Sequence, residues 1–270
     1  MQKYDDIFLS LVNDFSKHRS VEAILLSGSR TNGSLDENSD YDLYVYSCEE
    51  IPLGFRKKIA DTYFSYAELN HTTWEREDQG FFKEIDIPID IIYRDRQWLE
   101  GMLENIVIKC QASTGYSTSL WANLMNSDIL YDKDGQLKRL QKKYDVNYPE
   151  KLRKNIIAKN FPLLDKIIPA YTRQIAKALK RDDLISINHR TTAYFESYFD
   201  IIFAVNNELH PGEKKLLKIA TERLDLLPEH MEADISELLR NLFNEDYDIV
   251  KKLHGVTKNL EVLLKKLRLI

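Results

Sequence analysis

Residues 21–46 read VEAILLSGSRTNGSLDENSDYDLYVY, and the rest of the chain can be interpreted outward from them. An apolar run ends just before Gly28, a polar and turn-rich segment follows, and a second apolar run begins after Asp42. This pattern predicts a strand, a tight turn with a short helix, and a second strand.

Asp40 and Asp42 lie two positions apart, so on a strand they present two carboxylates to one face, about 6.6 Å apart. Two ionised carboxylates at this distance repel each other unless a cation lies between them, and Mg²⁺ favours carboxylate ligands together with substrate phosphates. Just upstream, Gly28 permits close approach of the backbone to a ligand, Ser29 adds a hydroxyl, and the first N–H groups of the short helix can hold a phosphate. The residues therefore predict a nucleoside triphosphate site.

The ordered combination of Gly28-Ser29, Gly33-Ser34 and Ser39-Asp40-Tyr41-Asp42-Leu43 resembles the signature of the nucleotidyltransferase superfamily, to which DNA polymerase β belongs. A surface turn with solvated aspartates is the alternative interpretation. The resemblance implies a two-metal Mg²⁺ site and a nucleoside triphosphate as co-substrate, with ATP favoured because related small-molecule enzymes mostly use it.

The same resemblance implies roles for individual residues near the motif. Gly28 and Ser29 would position the β- and γ-phosphates, Arg30 would add a cation there, and Ser39 would complete the nucleotide-binding segment. Asp40 and Asp42 would be catalytic metal ligands.

A third metal-binding carboxylate is implied on a later strand, and the segment EIDIPIDIIYR, residues 84–94, offers Asp86 and Asp90. Pro88 cannot donate to a sheet ladder, so it marks a strand start, an edge or a bulge. The well-paired part should therefore begin at Ile89, which favours Asp90 over Asp86.

The second half of the chain has helical periodicity throughout and few strand-like runs. We predict helices near residues 151–180, 183–209, 212–226, 229–243 and 247–269, with the first kinked or broken at Pro162 and Pro169. This half is similar to the helical C-terminal region of bacterial nucleotidyltransferase-domain proteins and of aminoglycoside and lincosamide nucleotidyltransferases. In such relatives a carboxylate can accept the acceptor's hydroxyl proton. Glu196, within an apolar helix, is the candidate in this half; Asp90 is the alternative base, and a structural acid is the alternative role for Glu196.

The expected fold class is therefore α+β. A nucleotidyltransferase domain with a mixed β-sheet flanked by helices, residues 1–148, would precede an all-α helical bundle, residues 149–270, that binds the acceptor. At 270 residues the chain is long enough for two domains.

Charge and composition limit the class of partner. Residues 1–150 carry 17 basic and 26 acidic side chains, whereas residues 151–270 carry 21 and 17. No concentrated basic tract suits a long nucleic acid. There is no apolar run of membrane-spanning length and no apolar segment after the N-terminus typical of a signal peptide, and the two cysteines, Cys48 and Cys110, suit a reduced compartment. We expect a cytoplasmic, bacterial protein, and the aromatic helical surface of the second half could support a homodimer.

The resulting hypothesis is a Mg²⁺-dependent nucleotidyltransferase. It would transfer a nucleoside monophosphate, AMP if the donor is ATP, to a hydroxyl of a small molecule, for which an antibiotic is one candidate. Two alternatives stay open: a protein adenylyltransferase of the antitoxin type, and a catalytically silent nucleotide-binding module.

Overall fold

The computed structural model describes residues 4–31 and 39–270, with Ser29 described for its backbone only. Gly33 and Ser34, two residues of the predicted motif, lie outside the described residues. The chain divides into two compact units: residues 1–104 with 123–146, and residues 105–122 with 147–270. The second unit therefore includes residues 105–122, which the predicted boundary at residue 148 placed in the first domain.

Within residues 4–31, 39–104 and 123–146, the first unit has six strands and most of the helices that precede residue 147. Its elements are α1 (Asp6–Ser16), β1 (Val21–Ser27), a 3₁₀ turn (Gly28–Arg30), β2 (Tyr41–Ser47), α2 (Leu53–Tyr63), β3 (Phe64–His71), β4 (Glu77–Phe82), β5 (Pro88–Arg94), α3 (Arg96–Leu103), β6 (Asp128–Asp132) and α5 (Gln136–Tyr144). A π-helical turn (Glu104–Ile108) and α4 (Ser119–Asn126) lie where the chain passes between the units.

The six strands form one mixed sheet in the order β3-β4-β5-β2-β1-β6. β2 and β5 are parallel, and the other neighbouring pairs are antiparallel. Residues 64–82 are rich in charged side chains, yet they contain the antiparallel pair β3 and β4. The charged pair Glu77-Asp78 obscures the second strand in the sequence, yet both side chains are buried.

Alternation along the central strands separates an apolar face from the face that carries the aspartates. Tyr41, Leu43 and Val45 of β2 are fully buried in the core that also includes Phe8 and Phe15 of α1. Asp42 and Tyr44, on the opposite face, are half-buried. The period of two therefore directs the Asp42 side chain away from this core.

A buried ion pair lies within the same unit. Arg56 Nη1 donates to Asp78 Oδ1 at 2.6 Å, and both side chains are almost completely inaccessible to solvent. The backbone N–H of Asn70 and the hydroxyl of Tyr93 also donate to Asp78, both at 2.7 Å. Because both charges are paired and hydrogen-bonded, this burial is tolerated.

In residues 105–122 and 147–270, all of which the structure describes, the regular elements of the second unit are helices. They are α6 (Glu150–Asp165), α7 (Tyr171–Leu179), α8 (Leu184–Val205), α9 (Leu216–Arg223), α10 (Met231–Arg240) and α11 (Ile249–Lys266). α6 continues through Pro162 and ends at Asp165. Pro169 lies between α6 and α7. Together with the mixed sheet of the first unit, these helices confirm the predicted α+β class.

The core of the second unit is built largely on α8. Tyr194, Tyr198 and Phe199 are buried among residues of the neighbouring helices, as expected for a helix with a wide apolar and aromatic surface. Each helix in the part of the chain that the structure describes is too short or too polar to span a bilayer. Cys48 and Cys110 are free thiols.

Candidate metal site

Strand pairing at the centre of the sheet brings two aspartates side by side. β2 and β5 run parallel, and their register places Asp42 directly opposite Asp90. Pro88 opens β5, so the register starts one residue later with Ile89 opposite Tyr41. Asp86 lies in the turn before β5, with a positive φ of 49° and an exposed side chain. The strand start at Pro88 therefore separates the two candidates as the sequence analysis expected, and Asp90 joins Asp42.

Asp40 immediately precedes β2 and completes a cluster of three carboxylates. One oxygen from each of Asp40, Asp42 and Asp90 lies within 4.8 Å of the others, and all three residues are half-buried. Three like charges at this separation repel one another, and a divalent cation between them removes that repulsion. Oxygen ligands that remain open to solvent suit Mg²⁺, which keeps water and substrate phosphate in part of its coordination shell.

Gly28 brings the backbone against this cluster. Its φ is +75°, and a Cβ at this position would lie 1.8 Å from Asp42 Oδ2 and 2.8 Å from Asp42 Cγ. Such contacts are impossible, so only glycine allows the turn after β1 to pass this close to the carboxylate. The predicted close approach of the backbone at Gly28 is therefore directed at a predicted metal ligand.

A polar group of the first unit supports the strand that bears Asp42. Ser27 is the cross-strand partner of Asp42, and Asn123 Nδ2 donates to Ser27 Oγ at 2.8 Å. Next along β2, burial raises the pKa of Tyr44; the Arg94 guanidinium opposes this effect and the Asp42 carboxylate adds to it. The Tyr44 hydroxyl is therefore neutral beside the cluster at physiological pH.

Further along the same face of the sheet, Arg94 lies among acidic and aromatic side chains. Arg94 donates to Glu75 through Nε at 2.8 Å and Nη2 at 2.5 Å. Its guanidinium lies 4.3 Å from the ring centroid of Tyr44 and 5.4 Å from that of Trp98. Burial raises the pKa of Glu77, and the nearby charges of Asp90 and Glu75 add smaller increases. The sequence motifs do not point to these residues, although alternation along β5 places Arg94 on the face of Asp90.

Arg30 lies at the end of the 3₁₀ turn and is bound to the main chain. Its Nη2 donates to the carbonyl of Ser39 at 2.7 Å and its Nε donates to the carbonyl of Asp40 at 3.0 Å. The guanidinium carbon also lies 3.8 Å from the ring centroid of Tyr41. The predicted role of Arg30 as a phosphate-binding cation thus competes with this observed role in holding the segment before β2. Ser39 itself is buried.

Glu196, the base suggested for the second half, belongs to the second unit. Glu196 lies half-buried on α8. The backbone of Gly115 passes close to it, since a Cβ added at Gly115 would lie 2.9 Å from the Cβ of Glu196. Burial raises the pKa of Tyr116, and the nearby charges of Glu196 and Glu213 add smaller increases. Glu196 is therefore part of an acidic and aromatic neighbourhood within its own unit.

Next to this neighbourhood, a buried polar network fixes the loop before α4. Asp200 accepts from the Ser117 N–H at 2.9 Å, from Ser117 Oγ at 2.6 Å and from Asn160 Nδ2 at 3.1 Å, and Asn160 Oδ1 accepts from the Gly115 N–H at 3.1 Å. Burial raises the pKa of Asp200 to about 6, although these hydrogen bonds act in the opposite direction. Burial also lowers the pKa of His210 to about 4.

Comparisons with known proteins give weak similarities. A family model described as a domain of unknown function, DUF4037, matches residues 116–216, which is less than half of the chain. The comparison with curated proteins found no significant match.

Two solved structures resemble the fold distantly. A nucleotidyltransferase-like protein from Exiguobacterium sibiricum 255-15 has a TM-score of 0.43 and 13% identity, over 95% of this chain and 73% of the other. The STING-associated CdnE c-di-GMP synthase from Capnocytophaga granulosa has a TM-score of 0.27 and 15% identity, over 96% and 78% of the two chains. Both TM-scores are below 0.5, so neither likeness carries an argument about activity.

Proposed function

We propose that this chain is a divalent-cation-dependent nucleotidyltransferase. The observation that carries the proposal is the convergence of Asp40, Asp42 and Asp90 within 4.8 Å, with the backbone of Gly28 directly against Asp42. A solvated acidic patch does not require a glycine at van der Waals contact with one of its carboxylates. This arrangement is expected of a site where one ligand contacts both the carboxylates and the turn.

The residues fit a pair of Mg²⁺ ions, since they offer hard carboxylate oxygens on side chains that are only half-buried. Bound ions of this kind would neutralise charge on the α-phosphate and on the leaving pyrophosphate. Asp40, Asp42 and Asp90 would hold them, and the turn at Gly28 and Ser29 would position the β- and γ-phosphates.

In the proposed reaction a hydroxyl oxygen of the acceptor attacks the α-phosphorus of the triphosphate. A new P–O bond forms to the acceptor, the bond between the α-phosphorus and the bridging oxygen breaks, and pyrophosphate leaves with that electron pair. The acceptor's hydroxyl proton passes to a carboxylate, for which Asp90 and Glu196 are the candidates. Holding the two reactants in line is the chief contribution of the protein in such a transfer.

We further propose ATP as the donor and a small hydroxylated molecule as the acceptor, in a cytoplasmic setting that suits two free cysteines. Transfer to a protein is the alternative. Incubation with α-phosphate-labelled nucleotide separates these readings, because the label would move to a small product in the first case and to a protein band in the second.

The first experiment is a thermal-shift series with each nucleoside triphosphate, with and without Mg²⁺, on the wild type, Asp42→Asn and Asp86→Asn. Asp86→Asn is a matched control, because Asp86 is an exposed carboxylate of the turn before β5. A ligand present at 100 times its Kd adds about 2.7 kcal/mol of stability. We expect one triphosphate to raise the melting temperature of the wild type and Asp86→Asn only with Mg²⁺, and Asp42→Asn to lose that shift.

Three results would count against the proposal. If no triphosphate shifts the wild type under any metal condition, the enzyme interpretation loses its support. If Asp42→Asn shifts as much as the wild type, nucleotide binding does not use the carboxylate cluster. If the wild type binds nucleotide but transfers label to no acceptor, a silent nucleotide-binding module becomes the better interpretation.

A further inference from the structure

We infer that Arg30 is a positioning residue that fixes the main chain bearing Asp40, and is not a phosphate ligand. The inference rests on the proposed function, because it concerns how one ligand of the proposed metal site is held. It also changes the role that the sequence analysis gave to Arg30.

The need for such a residue follows from the position of Asp40. Asp42 and Asp90 lie within paired strands, where the ladder fixes their backbone. Asp40 and Ser39 precede β2, outside the described strands. Their backbone must be held by other groups if the Asp40 carboxylate is to stay beside the other two.

Arg30 supplies those groups. Its planar guanidinium donates to two successive carbonyls, those of Ser39 and Asp40, so it restrains both peptide planes that flank Asp40. Two donors in a fixed planar geometry restrain orientation as well as distance, which a lysine ammonium does not.

The guanidinium is in turn held by a rigid surface. It stacks on Tyr41 at 3.8 Å, and the ring of Tyr41 stacks on Phe8 at a centroid distance of 4.1 Å. The Tyr41 hydroxyl donates to Asp5 Oδ2 at 2.5 Å, and Tyr41 is fully buried. A cation over an aromatic face is attracted to it, so Arg30 is anchored to the core through Tyr41.

The same short turn thus contacts two of the proposed ligands by different means. Gly28 lies against the carboxylate of Asp42, and two residues later Arg30 binds the backbone of Asp40. The N–H and hydroxyl of Thr31 both donate to the Gly28 carbonyl, at 3.3 and 3.2 Å, which closes the turn. With its Nε and Nη2 donating to the main chain and its face on Tyr41, Arg30 has a structural role in this turn.

The test measures Mn²⁺ binding by calorimetry, without nucleotide, for the wild type, Arg30→Gln, Arg30→Lys and Arg19→Gln. Arg19 is the matched control, because its side chain is 89% exposed. Groups that orient metal ligands change metal affinity by about 10–100-fold when removed. We expect Arg30→Gln to weaken Mn²⁺ binding by about tenfold or more, Arg30→Lys to be intermediate, and Arg19→Gln to bind like the wild type.

Hydrogen exchange gives a readout that does not depend on metal. We expect Arg30→Gln to accelerate exchange in residues 39–42 while residues 89–94 of β5 keep wild-type rates. If Arg30→Gln keeps wild-type Mn²⁺ affinity and exchange but binds the triphosphate more weakly, Arg30 is a phosphate ligand and the inference is wrong.

Failure of the proposed function would look different. If the wild type binds no Mn²⁺, the metal site is refuted, and exchange alone then decides the role of Arg30: faster exchange at residues 39–42 supports positioning, and unchanged exchange overturns it. Should Arg30→Gln not fold, the same comparisons apply to Arg30→Lys, which retains the charge.

Discussion

Replacing Gly28 with alanine should disable the carboxylate cluster while leaving the fold largely intact. The new Cβ would lie 1.8 Å from Asp42 Oδ2, whereas non-bonded carbon contacts normally lie at about 3.5–4.0 Å. The Asp42 carboxylate, or the turn itself, must therefore move by roughly 1.5 Å or more.

Two separate magnitudes follow from this geometry. A non-glycine residue at a φ of +75° costs about 1–2 kcal/mol of stability. Displacement of a reacting or ligating group by about 1 Å can reduce catalysis about 100-fold. We therefore expect Gly28→Ala to lose about 1–2 kcal/mol of unfolding free energy and about two orders of magnitude of the proposed nucleotidyl transfer, with Mn²⁺ affinity reduced as well.

Gly101→Ala is the control. Gly101 lies in α3 of the same unit, and an added Cβ there meets nothing within 4 Å. Alanine in a helix is favoured over glycine by about 0.5–1 kcal/mol, so this variant should be more stable than the wild type and bind Mn²⁺ equally well. Urea unfolding and calorimetry measure both properties. Wild-type Mn²⁺ affinity in Gly28→Ala would refute the reasoning, because the turn would then tolerate a side chain at the cluster.

Three further predictions concern buried ionisable groups, and urea unfolding tests all of them. Asp200, with a pKa raised to about 6, contributes stability that is present below about pH 4 and lost as the pH rises through 6. The unfolding free energy of Asp200→Asn, measured relative to that of the wild type, should therefore rise by about 2–3 kcal/mol between pH 4 and pH 7. His210, with a pKa lowered to about 4, contributes stability that is present above about pH 6.5 and lost as the pH falls through 4. The unfolding free energy of His210→Phe, measured relative to that of the wild type, should therefore rise by about 3 kcal/mol as the pH falls from 7 to 4. A variant curve parallel to that of the wild type would contradict either prediction. Arg56→Met leaves Asp78 buried without its ion partner and should cost about 3–5 kcal/mol; a neutral result would mean that the remaining hydrogen bonds suffice for the carboxylate.

The carboxylate cluster could be anticipated from the sequence because its determinants are local. Alternation places Asp42 opposite the apolar face of its strand, and Pro88 fixes where the next strand begins, which selects Asp90 over Asp86. Only the pairing of β2 with β5 was needed to join the two positions, and the resemblance supplied that expectation.

Other features depend on tertiary contacts that carry no local signature. Glu77 and Asp78 look like loop residues, and their burial becomes intelligible only with Arg56 as the partner of Asp78. The sequence predicted a phosphate-binding role for Arg30. Its contacts could not be anticipated, because the two carbonyls that it binds lie nine and ten residues further along the chain. Residues 105–122 likewise show nothing in their composition that assigns them to the second unit.

That last assignment has a consequence for dissection of the protein. The chain crosses between the two units three times, after Glu104, Ala122 and Val146. A fragment ending near residue 148 would retain residues 105–122 but lose Asn160 and Asp200, whose side chains satisfy the backbone of that segment. Its freed N–H and C=O groups would need water or a new partner. The carboxylate-bearing unit is thus better isolated by replacing residues 105–122 with a short connector than by cutting a single linker.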